Sequence, residues 1–276
     1  MVSEYAITIE NLDYTYGHGV YALKNINLNI KKNEFVGIIG QNGAGKSTLL
    51  KNITGLLKPT KGEVCVMGTN TRDISVARLA TKVGFVLQNP DRQIFSSTVY
   101  EEVSFGPKNL GLNNDEIDER VSFALKAVGL SEMKEYFPPA LSKGDRAKVI
   151  IASVLAMRPE IIILDEPTSG QDYLGCYQIM DIAREFHRAG FTIIVVTHHM
   201  ALVAEYAHRT VVLCEGEIMM DDATKKVFSR PEELLRTYIA PPQITQLGLI
   251  MKDRLGLSEA VLNIKEMGDL ILEARK

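Results

Sequence analysis

The sequence predicts an α/β fold, with a mostly parallel core sheet carrying helices on both faces. Three observations predict it. Short apolar runs that suit buried strands alternate with stretches of helical spacing along most of the chain. A glycine-rich segment, Gly40-Gln41-Asn42-Gly43-Ala44-Gly45-Lys46-Ser47, sits between the strand-like run Phe35-Val36-Gly37-Ile38-Ile39 and the helix-spaced Thr48–Ile53. A later apolar run, Ile161-Ile162-Ile163-Leu164, ends in two adjacent carboxylates, Asp165 and Glu166.

Taken in order, Ile7–Leu12 and Leu28–Ile30 read as short strands flanking a loop rich in Tyr, Gly and His. With Glu63–Met67 they suggest a small antiparallel layer around the glycine-rich segment. Tyr14 and Tyr16 share parity, so on a strand they point to one side. Either stacks on an adenine ring, or both simply cover the sheet. Lys82–Leu87 reads as a strand ending at Gln88-Asn89-Pro90-Asp91. From there to about Ala140 strand runs vanish, and Asp115–Val128 carries Ile117, Val121, Ala124, Leu125 and Val128 on one helical face. Asp118, Glu119 and Arg120 are its solvated side. Alternation resumes with Ile161–Leu164, a helix at Gln178–His187 ended by Gly190, and strands at Ile193–Val196 and Thr210–Leu213. Pro241-Pro242 closes the core, and residues 243–276 read as two short helices or a helix and a strand. This divides the chain into a main domain over 1–240, with a helical subdomain over about 89–150, and an extension over 241–276.

Composition sets bounds on function. With 276 residues, 46% of them hydrophobic and 24% charged, the chain has the balance of a globular protein with one large core. A formal net charge of −3 gives no electrostatic reason to expect nucleic acid. Cys65, Cys176 and Cys214 lack metal-ligand spacing, and so sparse a set fits a reducing compartment, with each thiol serving as a small buried hydrophobe. The start, Met1-Val2-Ser3-Glu4-Tyr5, lacks the basic and apolar blocks of a signal peptide. The longest apolar run, Val149–Met157, falls far short of the ~18 residues that span a bilayer.

The chemistry concentrates in the two motifs. Glycines let successive N–H groups of residues 40–48 converge on phosphate oxygens, and the dipole of the following helix favours the same negative charge. Lys46 would reach the outer phosphates and Ser47 would ligate Mg²⁺, so the expected ligand is a nucleoside triphosphate. At the carboxyl end of a parallel strand, Asp165 would hold Mg²⁺ through water, and Glu166 would deprotonate an attacking water. Adjacent acids there also serve as turn or helix caps, a reading the upstream phosphate loop disfavours.

Three further features make a family resemblance. Leu141-Ser142-Lys143-Gly144-Asp145-Arg146 lies upstream of Asp165, Ser169-Gly170-Gln171-Asp172 follows the acidic pair, and Thr197-His198 ends the next apolar strand. With Gln88, these resemble the nucleotide-binding subunit of an ABC (ATP-binding cassette) transporter over about Ile7–Ser229. The resemblance implies a P-loop NTPase cassette with an antiparallel β subdomain, a helical subdomain and a small C-terminal extension. It implies that Gly40–Thr48 is Walker A, with Gly40, Gln41, Asn42, Gly43, Ala44, Gly45, Lys46, Ser47 and Thr48 holding ATP. Asp165 and Glu166 end Walker B, and Gln88 senses the γ-phosphate through Mg²⁺. His198 resembles the switch histidine, Asp172 the D-loop aspartate and Tyr16 the adenine-stacking aromatic. Ser142 and Gly144 match the signature that faces the triphosphate of a second cassette. The usual signature is Leu-Ser-Gly-Gly-Gln; here Lys143 and Asp145 replace its neutral residues, which is unfavourable near phosphate unless Asp145 points away or pairs with Lys143.

Asn89-Pro90-Asp91-Arg92-Gln93-Ile94-Phe95, followed by Phe105-Gly106-Pro107, resembles the energy-coupling-factor branch, whose members energise import of vitamins, cobalt or nickel. That likeness implies Mg²⁺-ATP, a second cassette of identical or homologous sequence, a transmembrane coupling subunit and a substrate-binding membrane subunit. It makes Arg92, Gln93 and Phe95 contacts for coupling helices, or else a loop packing Ile94 and Phe95 inward. It places the chain on the cytoplasmic face of a membrane, with the extension stabilising the cassette pair. Two rivals are a soluble ABC ATPase of translation or repair, and a regulatory ATP-binding module; the single cassette disfavours the first and Glu166 with His198 disfavours the second.

Overall fold

The computed structural model describes residues 4–257 and 259–273; residues 1–3, 258 and 274–276, and with them the first residues and the end of the extension, lie outside the described residues. The chain opens on a hairpin, β1 (Tyr5–Tyr16) and β2 (Val20–Lys31), joined by one tight turn at Gly17–Gly19. There follow β3 (Phe35–Ile39), α1 (Lys46–Ile53), β4 (Lys61–Val66), β5 (Thr69–Asn70), α2 (Val76–Leu79) and β6 (Val83–Val86). The helical stretch holds α3 (Val99–Asn109), α4 (Asn114–Ala127) and α5 (Lys143–Ala156). Strand–helix alternation then resumes with β7 (Ile161–Asp165), α6 (Tyr173–Arg188), β8 (Thr192–Val196), α7 (Met200–Tyr206), β9 (Arg209–Cys214) and β10 (Glu217–Ala223). Short helices finish the chain: α8 (Thr224–Phe228), α9 (Pro231–Arg236), α10 (Gln243–Ile250), α11 (Lys252–Leu255) and α12 (Ile264–Glu273).

Two sheets organise these elements. A four-stranded sheet runs β2-β1-β4-β5 with antiparallel pairing, and a six-stranded sheet runs β10-β9-β3-β8-β7-β6. The larger sheet is parallel except for its edge strand β10. Strands β3, β7 and β8 are buried at every position, which is why they read as unbroken apolar runs. Alternate residues serve opposite faces. Phe35, Ile39, Ile162 and Leu164 join the core under α5 and α6, whereas Val36, Ile38, Ile161 and Ile163 join the core shared with α1 and the antiparallel sheet.

The hairpin is much longer than the sequence reading of Ile7–Leu12 and Leu28–Ile30. Its pairing breaks phase beyond Ile9, and Asn11 and Asn25 take positive φ of 47° there, so the apolar alternation loses its period. Strand β10 escapes notice because Glu217, Asp221 and Asp222 break its apolar run; Asp221 grips Arg209 on β9 through two short bonds, Nε–Oδ1 2.6 Å and Nη2–Oδ2 2.7 Å. In the helical stretch, α3 and α4 each start with a capping box, Thr98 with Glu101 and Asn113 with Glu116. The four residues Ile117, Val121, Ala124 and Leu125 of α4 are buried, as its spacing predicts.

The extension is built of helices, with no strand among its described residues, where the sequence reading left a strand open. It is fastened to the main domain: Ala260 N donates to Ser229 Oγ at 2.7 Å, and Lys225 Nζ bonds Glu266 Oε1 at 2.6 Å. Among the described residues no helix is long and apolar enough to cross a membrane.

Candidate functional site

The glycine-rich segment joins the carboxyl end of β3 to α1, and two of its glycines are required by close approach. A Cβ at Gly40 would lie 2.4 Å from the Leu213 carbonyl oxygen of β9. Gly45 has φ +102°, and a Cβ there would lie 2.6 Å from the Ala22 carbonyl oxygen. The loop is thereby clamped between both sheets. Lys46, the first residue of α1, curls its ammonium back over the loop and donates to the Gly40 and Gln41 carbonyls at 2.7 and 2.9 Å. Burial depresses its pKa, while Glu166 and Asp165 pull it upward.

Strand β7 delivers the two acids to the same place. Asp165 Oδ2 accepts from Ser47 Oγ at 3.4 Å. Burial raises its pKa, against the lowering effect of the Ser47 bond and Lys46. Glu166 leaves the strand with φ 50° and donates its N–H to the Val196 carbonyl at 2.8 Å. That turn carries the carboxylate to His198, whose Nε2 lies 2.9 Å from Oε1 and whose backbone N–H donates to Oε2 at 3.3 Å. Burial pushes the Glu166 pKa up to about 7, and burial with Lys46 nearby lowers that of His198. A carboxyl that exchanges a proton near neutrality beside a largely neutral imidazole suits proton abstraction from water.

These groups line one open cleft of about 370 Å³, together with Tyr16, Thr48, Asn42, Gly43, Gly45 and Gln88. The Tyr16 hydroxyl is 3.1 Å from Thr48 Oγ1, and its ring meets Tyr14 edge-on at 4.9 Å. Tyr16 faces the cleft while Tyr14 packs on the core. Val20, Tyr21 and Ala22 also line the cleft and were missed. Their signal was an exposed apolar pair beginning β2, hidden by reading that stretch as a loop. The oxygen donors of Ser47, Asp165 and Gln88 are the hard, mixed set that Mg²⁺ accepts alongside phosphate and water. Among the described residues no cluster of three or more His, Cys, Asp or Glu offers a dedicated metal cage.

Ser142, Gly144 and Asp172 do not line this cleft. Ser142 caps α5, with Oγ accepting from Asp145 N at 3.1 Å and donating to Asp145 Oδ2 at 2.7 Å. Asp172 caps α6 through a 2.7 Å bond from Gly175 N. Gly144 packs beside Gln171, and the Lys143 side chain lies across Gly170, where φ is +70°. Of the two arrangements open to Asp145, pairing with Lys143 is not the one found. Asp145 instead approaches Lys148 Nζ at 3.6 Å, because helical neighbours three apart face each other and those two apart do not.

A second depression, of about 290 Å³, lies among Phe95, Phe105, Leu56, Val76, Val154 and Met157. Phe95 and Phe105 meet edge-on at 4.7 Å and are both exposed. The segment before them is held from below: buried Glu102 accepts from Phe95 N at 3.0 Å and Ser96 N at 2.9 Å. Gln93 is tied to backbone, donating to Phe85 O and accepting from Leu87 N, both at 3.1 Å, and Ile94 packs on the core. Arg92 and Phe95 are left facing outward.

Comparison with known proteins sets this geometry in a family. The ABC transporter family model matches residues 23–169. The energy-coupling factor transporter ATP-binding protein EcfA of Methanocaldococcus jannaschii is 42% identical over 245 residues, covering 88% of each chain. EcfA1 of Caldanaerobacter subterraneus subsp. tengcongensis is 39% identical over 274 residues, covering 97% of this chain and 99% of its own. The solved structure of cbiO1 from Clostridium perfringens, part of the ABC transporter complex cbiONQ, superposes with TM-score 0.79 at 38% identity, covering 91% of this chain and 100% of its own. The first curated relatives matched are longer proteins, of which this chain spans 45%, 42% and 41%. With a phosphate-binding loop, an acidic strand end and a histidine gathered in one cleft, and with relatives of this identity and coverage, the chain belongs to the ABC transporter family as an ATP-binding cassette.

Proposed function

We propose that the chain is the ATP-hydrolysing energising subunit of an energy-coupling-factor type importer, for a vitamin or for cobalt or nickel, seated on the cytoplasmic face of a membrane. The observation that carries this reading is the meeting of Lys46, Asp165, Glu166 and His198 in one cleft, in a chain similar to EcfA over most of its length. ATP enters with its phosphates on the loop amides and on Lys46, which exchanges its carbonyl partners for phosphate oxygens. The adenine stacks on Tyr16. Ser47, Asp165 and Gln88 would hold Mg²⁺, which would supply neutralisation of phosphate charge. Glu166 takes the proton of the attacking water, and His198 orients that water against the γ-phosphate.

Two cassettes, identical or homologous, close around two ATP molecules. Ser142, Gly144 and Asp172 of each face the nucleotide of the other, and hydrolysis reopens the pair. The outward Arg92 and Phe95 beside the apolar depression receive the coupling helices of a transmembrane subunit, which works with a substrate-binding membrane subunit. The likeness to EcfA and to cbiO1 favours this reading over a soluble translation or repair ATPase.

Glu166→Gln tests the catalytic assignment. The variant should bind ATP as tightly as wild type and lose about 10²–10⁴-fold in turnover. Wild-type turnover in that variant would remove Glu166 as the base and leave the hydrolytic reading without its central group.

A further inference from the structure

The start of α5 departs from the neutral family signature, and its bonding shows what the departure does. A serine hydroxyl carries one proton. That of Ser142 is directed at Asp145 Oδ2, 2.7 Å away, while the same oxygen accepts the Asp145 N–H at 3.1 Å. The second Asp145 oxygen lies 3.6 Å from Lys148 Nζ, which also donates to Gln178 Oε1 on α6 at 3.0 Å. Ser142 therefore has no proton left to offer outward. Lys143 does not relieve this, because its side chain lies across Gly170.

We propose that Asp145 is a positioning residue acting through Ser142: it withholds the signature hydroxyl from the triphosphate of a facing cassette and so raises the ATP concentration needed for closure. The proposal rests on the reading above, in which Ser142 of one cassette faces the nucleotide of another. For Ser142 to serve a phosphate oxygen, a charge-assisted O–H···O⁻ bond must break, and such bonds are about twice as strong as neutral ones. The carboxylate then released stands beside a phosphate of like charge. Lys148 offsets part of that repulsion. With a neutral residue at 145, neither cost arises.

The experiment is sedimentation of the full chain in a Glu166→Gln background across Mg²⁺-ATP concentrations, with Asp145→Asn, Asp145→Ala, and Asp145→Ala combined with Ser142→Ala. Asp145→Ala should lower the ATP concentration for half-association about tenfold, and Asp145→Asn by less. Adding Ser142→Ala should remove the gain, because the effect passes through that hydroxyl. The thermal midpoint of the nucleotide-free Asp145→Ala chain should be unchanged or lower, since α5 loses a first-turn acid. A merely structural role moves midpoint and association down together. Association no better in Asp145→Ala than in its parent, or a gain that survives Ser142→Ala, overturns the proposal. Loss of binding of a fluorescent ATP analogue by the Glu166→Gln parent would instead overturn the reading beneath it.

Discussion

Glu166 occupies the left-handed backbone region at φ 50°, a conformation costing about 1–3 kcal/mol outside glycine. The N–H bond to Val196 on the neighbouring strand holds it there, and the twist is what swings the carboxylate off β7 toward His198. The sequence shows two adjacent acids and, one strand later, a histidine; it does not show that the chain turns between the acids to divide them. Another histidine carries a consequence for pH. His208 on the far end of the sheet lies 5.1 Å from the His187 ring, and Phe35 packs edge-on to both. Burial, then the neighbouring His187, lower the His208 pKa from its ordinary 6.5. A base with a depressed folded pKa contributes stability above its unfolded pKa and loses it as pH falls through the folded one. The thermal midpoint should thus drop more steeply from about pH 7 to pH 5 in the wild type than in His208→Gln. Parallel pH profiles for the two chains would show that His208 titrates as freely folded as unfolded.

At the scale of elements, what was legible is what repeats. Strands β3, β7 and β8 announce themselves because both faces are buried, and α4 because one face is. What was not legible is set by partners distant in sequence. The end of β1 pairs across bulges, and β10 is stabilised through Arg209, which also bonds Glu34 and the Asn29 carbonyl. The segment after Gln88 combines both cases. Its Asn89-Pro90 turn and aromatic residue are plain in the sequence, yet nothing there says that Gln93 is tied to backbone or that Glu102 props Phe95 and Ser96 from beneath. That support leaves Arg92 and Phe95 facing outward. Arg92→Glu combined with Phe95→Ala should abolish capture of the membrane coupling subunit in detergent while leaving ATP turnover of the isolated cassette within about twofold, as expected of exposed positions. Capture that survives both changes would reduce the segment to ordinary packing.

At the scale of the molecule, the extension has two unlike sides. One is sealed: Ala260, Val261 and Met267 are buried, Thr245 Oγ1 donates to the Val261 carbonyl at 2.6 Å, and Glu266 accepts from Leu262 N at 2.8 Å. The other leaves Ile250 82% and Ile264 78% exposed, with Leu272 and Leu247 also open to solvent. Ile250 ends α10, and Ile264 begins α12 at the rim of a depression that Tyr173, Tyr177 and Ala201 of the main domain also line. Large apolar side chains gathered on one small unit suit contact with a second chain. Full burial of each is worth about 1.5–3 kcal/mol. If the extension stabilises a cassette pair, Ile250→Lys with Ile264→Lys should raise the protein concentration for half-association by at least about tenfold. ATP binding at high dilution and the thermal midpoint should stay as in wild type, because the changes fall outside the cleft and the buried side of the extension. Sedimentation across protein concentration with Mg²⁺-ATP in the Glu166→Gln background reads the shift. Unchanged association would mean that the pair is held at the cleft alone and that this apolar face serves some other contact.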